Sequence, residues 1–292
     1  MKYLKIFAAA VLSVLLCGCA AKSESAQVAA TTLPVWEFSS RLCAGTPITV
    51  TRLVTEQVSC LHDYSLNVRQ AKAAEAAETI VISGAGLEDF LDDLLLNASV
   101  IDASEGIDLL CGEDHEEELH HTEGHHHEED PHIWLAPENA ESMARNICAG
   151  LSARYPQYTQ NFEANLNLLL NDLTALQKYG KDTLSELRCR DLITFHDGFS
   201  YFADAFELNI VKAVEEESGS EASAQELIEM VTLVEGNSLP AIFTETSGST
   251  SAAGIIARET GCGLYTLDMA MSGDSYFDAM YHNIDTIKEA LG

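Results

Sequence analysis

The chain has 292 residues, of which 46 are acidic and 16 are basic, and its formal net charge is −30 at pH 7. A chain this acidic would repel the phosphates of nucleic acid, which excludes nucleic acid as a partner, whereas it would attract cations to its surface. The apolar fraction of 47% and the length suffice for two lobes of ordinary size.

The N-terminus predicts export from the cytoplasm. Lys2 and Lys5 precede an apolar run over residues 6–16. This run is too short to span a bilayer, but it has the length and the basic flank of a signal peptide. We therefore expect a protein that works outside the cytoplasm.

The apolar run ends in Leu-Cys-Gly-Cys at residues 16–19, which resembles a bacterial lipobox. Cleavage before Cys19 would leave a cysteine whose sulfur carries a lipid; an ordinary signal peptide with an incidental cysteine is the alternative. The lipobox interpretation predicts a signal peptide over residues 1–18 and a lipidated tether over residues 19–27. The lipid would hold the protein on the bacterial cell membrane without a transmembrane helix.

Short apolar runs bounded by turn residues alternate with stretches of helical composition in the first half of the chain. Strands are predicted over residues 28–33, 48–53 and 79–83. Helices are predicted over residues 35–43, 67–77 and 88–96, and another begins at Pro137 and ends before Pro156. This alternation is typical of βα units and predicts an N-terminal α/β lobe over residues 28–155.

Residues 111–130, within this lobe, hold six of the ten histidines, nine carboxylates and no lysine or arginine. Neutral imidazole and carboxylate are the ligands that suit zinc and its neighbours. A segment this polar cannot bury a core, so we predict an exposed accessory metal-binding loop. A solvated acidic loop, the alternative, explains the carboxylates but not the histidines. These histidines are His115, His120, His121, His125, His126 and His127.

A long amphipathic helix is predicted in the middle of the chain. Apolar residues recur there at spacings of four and three, which places them on one helical face. They are Phe162, Leu166, Leu169, Leu173 and Leu176. We interpret residues 156–188 as a rigid helix that links two lobes. A coiled-coil dimer is the alternative, but so few heptads favour a monomer.

The alternation of strands and helices resumes in a C-terminal lobe over residues 189–292. Strands are predicted over residues 191–195, 209–214, 241–244 and 263–265. Helices are predicted over residues 199–206, 223–234, 250–260 and 275–291, and Gly261 is a natural end for the third of these. The predicted fold class is therefore α/β, with two lobes that each contain a mainly parallel sheet flanked by helices, joined by one long helix.

Six cysteines follow Cys17 and Cys19, an even number that permits three disulfides in an exported protein. They contain no CxxC pair, so a thiolate zinc site is not predicted. The sequence leaves the pairing open. The six are Cys43, Cys60, Cys111, Cys148, Cys189 and Cys262.

Three histidines outside the acidic segment lie at equivalent boundaries of the predicted elements. His62 and His196 each follow a strand, and His132 precedes the helix that begins at Pro137. In open α/β sheets such turns meet in the crevice outside the strand ends. Any one of these histidines alone would more often be structural, but three together predict a metal site. His282, inside the last helix, is interpreted as a surface or packing residue.

A fourth ligand is expected from the C-terminal lobe, and it should be a carboxylate because zinc and its neighbours also accept oxygen. Asp268 follows the strand predicted over residues 263–265. Glu245 follows the strand predicted over residues 241–244 and occupies a comparable boundary. The residues alone leave the choice between these two open.

The chain resembles the zinc/manganese substrate-binding lipoproteins of bacterial ABC importers. The segments that carry the resemblance are TTLPVWEFSSRL, HDYSLNVRQ, SGAGLEDFLDDLL, DPHIWLAPENA, FHDGFSYFA, FTETS and YFDAMYHNIDTIKEAL. The resemblance implies that His62, His132, His196 and Asp268 bind the metal and that Glu245 orients a ligand. It also implies two α/β lobes with the metal between them and an ABC transporter permease as partner.

Within this family a histidine at the third ligand position is typical of zinc importers, and a glutamate there is typical of manganese importers. This chain has His196 at that position. Three imidazoles and one carboxylate suit tetrahedral zinc, which binds nitrogen-rich sites more tightly than manganese does. We therefore predict Zn²⁺ as the bound ion, with Mn²⁺ as the alternative.

Two other functions use similar residues. A secreted zinc hydrolase would keep an open zinc position for water, but four protein ligands close the site and no HExxH motif occurs. A metal-binding adhesin or buffer of the same fold would share every residue named above. The prediction is a monomer without enzymatic activity that captures zinc and delivers it to an ABC permease.

Overall fold

The computed structural model describes residues 27–58, 61, 64–91, 95, 98–110, 129–214 and 223–292. Within these ranges the chain forms two lobes, each built on a four-stranded sheet in which all paired strands run parallel. The predicted α/β fold class is thereby confirmed. Among the described helices, none is both long and apolar enough to cross a bilayer.

The sheet of the N-terminal lobe has the strand order β2-β1-β3-β4. Its strands are β1 (Gln27–Ala30), β2 (Thr49–Arg52), β3 (Thr79–Ile82) and β4 (Ser99–Asp102). Its helices are α1 (Leu33–Leu42), α2 (Val68–Ala76) and α3 (Pro137–Arg154). Local sequence sets where these helices begin: Asn67 forms a capping box with Gln70 at the start of α2, and Pro137 occupies the first turn of α3.

The sheet of the C-terminal lobe repeats this topology with the order β6-β5-β7-β8. Its strands are β5 (Asp191–Thr194), β6 (Asn209–Ala213), β7 (Ala241–Glu245) and β8 (Gly263–Leu267). Its helices are α5 (Ser200–Ala205), α6 (Ala224–Asn237), α7 (Ser251–Thr260) and α8 (Tyr276–Leu291). In each lobe the chain order reverses beside the first strand, which opens a crevice at the carboxyl ends of the strands.

The predicted long helix is present as α4 (Thr159–Leu184), whose 26 residues span about 39 Å. Its buried stripe includes Phe162, Leu169, Leu173 and Leu176, as the periodicity indicates. These side chains pack α4 against α1 and α3 of the N-terminal lobe and against α8 of the C-terminal lobe. Helix α4 therefore contributes to the packing of both lobes in addition to connecting them.

One apolar core runs through both lobes and includes Trp134, Phe162 and Tyr276, all fully buried. Two smaller cores lie on the outer faces of the sheets, one formed with α2 and the other with α6 and α7. Because the largest core is shared, the position of one lobe against the other is fixed by ordinary side-chain packing. The backbone N–H of Leu33 adds a hydrogen bond to Met271 O across the lobes at 3.1 Å.

Strand β4 is absent from the elements expected from the sequence. Ser99, Val100 and Asp102 are exposed and only Ile101 is buried, because β4 lies at the edge of its sheet. An edge strand with one buried residue shows neither a continuous apolar run nor a clear alternation. In the helix predicted over residues 88–96, the described part contains a short 3-10 turn at Asp89–Leu91.

The structure excludes the three disulfides that the even cysteine number permits, since four of the six cysteines are free thiols. Cys43, directly after α1, and Cys148, on α3, are both buried, and a buried thiol packs as a small apolar group. Burial raises the pKa of Cys43 to about 12 and also raises the pKa of Cys148, so both thiols stay protonated and unreactive. Cys189 and Cys262 are the other two free thiols, while Cys60 and Cys111 lie outside the described residues.

Candidate metal site

The structure brings together two predicted ligands, one from each lobe. His196 lies two residues after β5, where the N–H of Phe195 donates to Phe243 O at 2.9 Å and holds the chain to β7. His132 immediately precedes the 3-10 turn Ile133–Leu135, which leads into α3. The centroids of the two imidazole rings are 5.3 Å apart, and the ring planes are nearly perpendicular at 83°. The pair lies at the junction of the lobes.

This spacing is what two imidazoles on one zinc ion require. With zinc–nitrogen bonds of about 2.0–2.1 Å and a tetrahedral angle, the ring centroids of two such ligands would lie about 5 Å apart. The Nε2 atoms of His132 and His196 are both buried. The observed centroid separation of 5.3 Å therefore matches the separation expected for two imidazoles on one zinc ion.

The orientation of His132 is set by Asp130. The Oδ1 atom of Asp130 lies 2.8 Å from His132 Nδ1 and also accepts the backbone N–H of His132 at 2.9 Å. Because an ionised carboxylate can only accept, Nδ1 carries the proton, and in the neutral imidazole Nε2 then carries the lone pair. This is the form of imidazole that binds a metal, and a carboxylate behind the ring is the usual way to enforce it. Among the described residues, Nε2 of His132 has no hydrogen-bond partner.

Gly198 makes the close approach of the two rings possible. A Cβ atom at this position would lie 2.7 Å from Met269 Cε, 2.8 Å from His196 Cδ2 and 2.9 Å from His132 Nδ1. All three distances are shorter than ordinary carbon contacts, so any side chain here would push the rings apart. The site needs glycine at position 198 for this steric reason.

Asp268, which directly follows β8, is held by a buried amide. Its N–H donates to Asn283 Oδ1 at 2.7 Å, and Asn283 Nδ2 donates to Asp268 O at 2.7 Å. The Oδ1 atom of Asp268 accepts the N–H of Ala270 at 2.7 Å, and Ala270 has a positive φ of 52°. Asn283 is fully buried on α8, so the backbone of Asp268 is fixed and its carboxylate has a defined direction.

Trp134 connects the segment after β8 to His132. Its Nε1–H donates to Met269 O at 2.7 Å, and its ring meets the His132 ring edge to face with centroids 5.4 Å apart. The hydroxyl of Tyr276 in turn donates to Trp134 O at 2.8 Å. Burial raises the pKa of Tyr276 far above its usual value, so this hydroxyl remains a donor. Asp268, the neighbour of Met269, is thus tied to the N-terminal lobe.

Glu245 is the last residue of β7 and is paired in register with Leu267, the residue before Asp268. Both carboxylates therefore stand at the same edge of the C-terminal sheet. Glu245 is buried, with 5% of its surface exposed. A Cβ atom at Gly248 would lie 2.7 Å from Glu245 Cγ, so a second glycine makes room for this side chain.

The family model described as "ZnuA: Zinc-uptake complex component A periplasmic" matches residues 28–290. The chain belongs to this family. It is 28% identical to the zinc-binding lipoprotein AdcA of Streptococcus pneumoniae serotype 4 over 307 aligned residues, which cover 99% of this chain and 61% of that relative. It is also 28% identical to a putative metal-binding protein of Treponema pallidum, over 86% of this chain and 83% of that protein.

Solved structures of the zinc-uptake family have the same architecture. A crystal structure of ZnuA matches with a TM-score of 0.79 and 29% identity, covering 92% of this chain and 100% of that one. The Zn(II)-bound ZnuA-like domain of Streptococcus pneumoniae AdcA matches with a TM-score of 0.77 and 25% identity, over 91% of this chain and 99% of that one. The chain matches the full length of the crystallised ZnuA chain, whereas it spans only 61% of the length of the AdcA relative.

Several predicted site residues of this family member fall outside the described ranges. They are His62, the six histidines of residues 111–130 and the lipidation site Cys19. Within the part of the chain that the structure describes, no three His, Cys, Asp or Glu side chains are close enough to hold one ion. The structure therefore brings His132 and His196 together, but it does not place Asp268 or Glu245 in one ligand group with both rings. His282 is exposed on α8.

Sequence reasoning missed the residues that support the site: Asp130, Trp134, Gly198 and Asn283. The role of Asp130 could have been predicted from the sequence, because a carboxylate two residues before a ligand histidine can contact its ring. Gly198 follows His196 at the same short spacing, but a glycine there also fits an ordinary turn. Trp134 and Asn283 act on Met269 and Asp268 from distant parts of the chain, and no local pattern marks them.

Proposed function

We propose that this protein captures Zn²⁺ between its two lobes and delivers it to the permease of an ABC importer. The proposed ligands are His62, His132, His196 and Asp268. The observation that carries the proposal is the pair of imidazoles from opposite lobes, 5.3 Å apart and with buried Nε2 atoms, one of them fixed by Asp130 in the metal-binding tautomer. Glu245 is proposed to orient a ligand from the adjacent strand.

The choice of zinc rests on the donor atoms. Three imidazole nitrogens and one carboxylate favour zinc over manganese, which prefers more oxygen. The family description and the zinc-binding relative support the same ion. Mn²⁺ is the alternative, and a structurally similar binding protein at 21% identity has been solved with Mn²⁺, a likeness that extends to the fold alone.

Ligands on both lobes give metal binding a structural consequence. An ion held by His132 from one lobe and by His196 and Asp268 from the other stabilises the arrangement in which the lobes are packed together. A permease that recognises this arrangement would select the loaded protein. Four protein ligands leave no open zinc position for water, so we propose a binding role and not a hydrolase.

The remaining parts of the chain fit delivery at a membrane surface. We propose a signal peptide over residues 1–18, a tether over residues 19–27 lipidated at Cys19, lobes over residues 28–155 and 189–292, and a linking segment over residues 156–188. The name of the AdcA relative, a lipoprotein, supports the anchor. The histidines of residues 111–130 would act as weak accessory sites that raise the local zinc concentration, and the protein would work as a monomer.

Native mass spectrometry of the chain from Cys19 onward, offered equal Zn²⁺ and Mn²⁺, tests this function. A matched variant carries a Gly-Ser linker in place of residues 113–128. We expect one tightly held zinc in both proteins and additional weak zinc ions only in the unmodified chain. Retention of manganese instead would select the alternative ion, and loss of all tight binding in the linker variant would reject the interlobe site.

A further inference from the structure

The support of His132 continues into the other lobe through Tyr201. This residue lies on α5, five positions after His196, and is 3% exposed. Its hydroxyl donates to Asp130 O at 3.0 Å and accepts the N–H of Leu110 at 2.9 Å. The N–H of Asp130 also donates to Leu110 O at 2.9 Å. One hydroxyl of the C-terminal lobe thus joins two separate segments of the N-terminal lobe.

These contacts, which we call the Tyr201 clasp (Tyr201, Leu110 and Asp130), bear directly on the metal site. Within the described ranges the Oδ2 atom of Asp130 is buried and has no hydrogen-bond partner, so the carboxylate is engaged through Oδ1 and His132. Its position therefore depends on where its backbone is held. The backbone is held by Leu110 through its N–H and by Tyr201 through its carbonyl.

We propose that Tyr201 is a positioning residue for the interlobe metal site and acts on His132 through Asp130. The inference rests on the proposed function, in which His132 is a ligand. Without the hydroxyl, a buried carbonyl and a backbone N–H lose their shared partner, and the segment that carries Asp130 can shift. A displaced carboxylate holds Nδ1 less well, so the imidazole populates the tautomer whose Nε2 is protonated and cannot bind the ion.

The clasp also connects the two lobes, and each side of this connection lies on a segment that carries a proposed ligand histidine. Tyr201 moves with the helix that follows His196, and Asp130 moves with His132. An ion that binds both rings would also keep Tyr201 close to Asp130. The intact clasp would in turn keep the two rings close to each other. Metal binding and the clasp should therefore stabilise each other.

Tyr201→Phe removes the hydroxyl and keeps the buried ring. We expect zinc affinity, measured by competition with a fluorescent chelator, to fall about tenfold, the lower end of the effect of residues that support metal ligands. Tyr179→Phe is the matched control, because its hydroxyl donates to Asp285 Oδ1 on the exposed surface of α4 and α8. The control should stay within about twofold of the unmodified protein.

Two further measurements separate positioning from general destabilisation. Histidine-selective ¹⁵N NMR of the metal-free protein should show His132 as the Nδ1-protonated tautomer, and as a mixture in Tyr201→Phe. If Tyr201 acts through Asp130, the variant Tyr201→Phe with Asp130→Asn should lose little more affinity than Asp130→Asn alone. An unchanged tautomer, an affinity within about twofold of the unmodified protein, or fully additive losses would overturn the inference.

Failure of the inference and failure of the proposed function give different results. If the unmodified protein binds zinc tightly and Tyr201→Phe binds it equally well, the function stands and the role of Tyr201 is rejected. If the unmodified protein binds no zinc, the function is rejected, and the tautomer measurement still decides on Tyr201. If Tyr201→Phe does not fold, hydrogen exchange at the backbone amide of Leu110 can be measured in the unmodified protein instead. This exchange should become slower when zinc is bound, and an unchanged rate would reject the clasp.

Discussion

The two lobes have the same strand order but use the carboxyl ends of their strands differently. In the N-terminal lobe, Glu88 accepts hydrogen bonds from Thr31 Oγ1 at 2.6 Å, Ser83 N at 2.7 Å and Gly84 N at 3.0 Å. This buried carboxylate thereby joins the ends of β1 and β3. In the C-terminal lobe the corresponding edge carries His196 after β5, Glu245 at the end of β7 and Asp268 after β8.

The difference shows that topology creates a crevice but does not decide its chemistry. At the end of β3 the acidic side chain turns back and uses its oxygens on neighbouring donors. At the end of β8 a buried amide holds Asp268 by its backbone instead, through both hydrogen bonds of Asn283. The carboxylate of Glu88 therefore has a structural role, whereas that of Asp268, engaged through Oδ1 by the N–H of Ala270, is the proposed ligand.

The largest effect should come from removing either ring of the pair. His132→Ala or His196→Ala should weaken zinc binding by on the order of 1000-fold, since even residues that only support a ligand contribute 10–100-fold. Isothermal titration with a competing chelator measures this. His282→Ala, an exposed histidine on α8, is the control and should bind zinc normally. Tight zinc binding by the double variant would remove the basis of the site.

Gly198→Ala should weaken zinc binding by about 100-fold, because its Cβ would collide with both rings and with Met269. Gly236→Ala is the matched control, since a Cβ atom at that helical glycine meets nothing within 4 Å. Zinc titration of both variants, with thermal unfolding to verify folding, checks the expectation. Equal affinities of the two variants would show that the close approach of the rings is not needed.

Asn283→Ala tests how the carboxylate at the end of β8 is held, which is where the two sheets differ. The substitution removes the amide that holds Asp268 but keeps every proposed ligand residue. Two buried hydrogen bonds are lost, so we expect about 2 kcal/mol of lost stability and about tenfold weaker zinc binding. Chemical denaturation and zinc titration measure the two effects. Stability loss without any change in affinity would mean that the backbone clamp does not position the carboxylate.

Glu88→Gln should leave zinc affinity unchanged but alter how stability depends on pH. Burial is the main cause that raises the pKa of Glu88 from its ordinary value of 4.5 to about 7, against the lowering effect of its hydrogen bonds. Below pH 4.5 both the folded and the unfolded protein carry the proton, so no stability is lost. As pH rises from 4.5 to about 7, the unfolded protein ionises while the buried site opposes ionisation, so stability falls; above about pH 7 both states ionise and the loss no longer grows.

The stability of the unmodified protein relative to Glu88→Gln should therefore fall by about 3 kcal/mol between pH 4 and pH 8. Urea denaturation across this range measures the difference. Glu56→Gln is the control, because Glu56 is exposed and the Tyr64 hydroxyl lowers its pKa, which gives the opposite and smaller trend. A flat difference for Glu88→Gln would show that this carboxylate is ionised when folded.

Most of the fold could be read from the sequence because its elements carry their own local signals. The apolar runs of β3 and β7 are buried strands, Pro137 begins α3, and Gly261 ends α7 with a positive φ of 75°. The spacing of the apolar residues in α4 predicted its buried stripe. Strand β4 was not predicted because this edge strand buries only one residue. The sequence left the disulfides open because an even number of cysteines says nothing about the distances between them.

The sequence by itself determined the chemistry of the candidate site, since imidazole and carboxylate groups at the ends of strands are visible as residue types at boundaries. Only the tertiary structure decided which groups meet and how they are held. Three features of the site involve residues from different elements. They are the 5.3 Å separation of the His132 and His196 rings, the space that Gly198 leaves beside them, and the hydrogen bonds of Asn283 to Asp268. Such contacts depend on how two sheets and their shared core pack together, and packing is a property of the whole chain that no local pattern encodes.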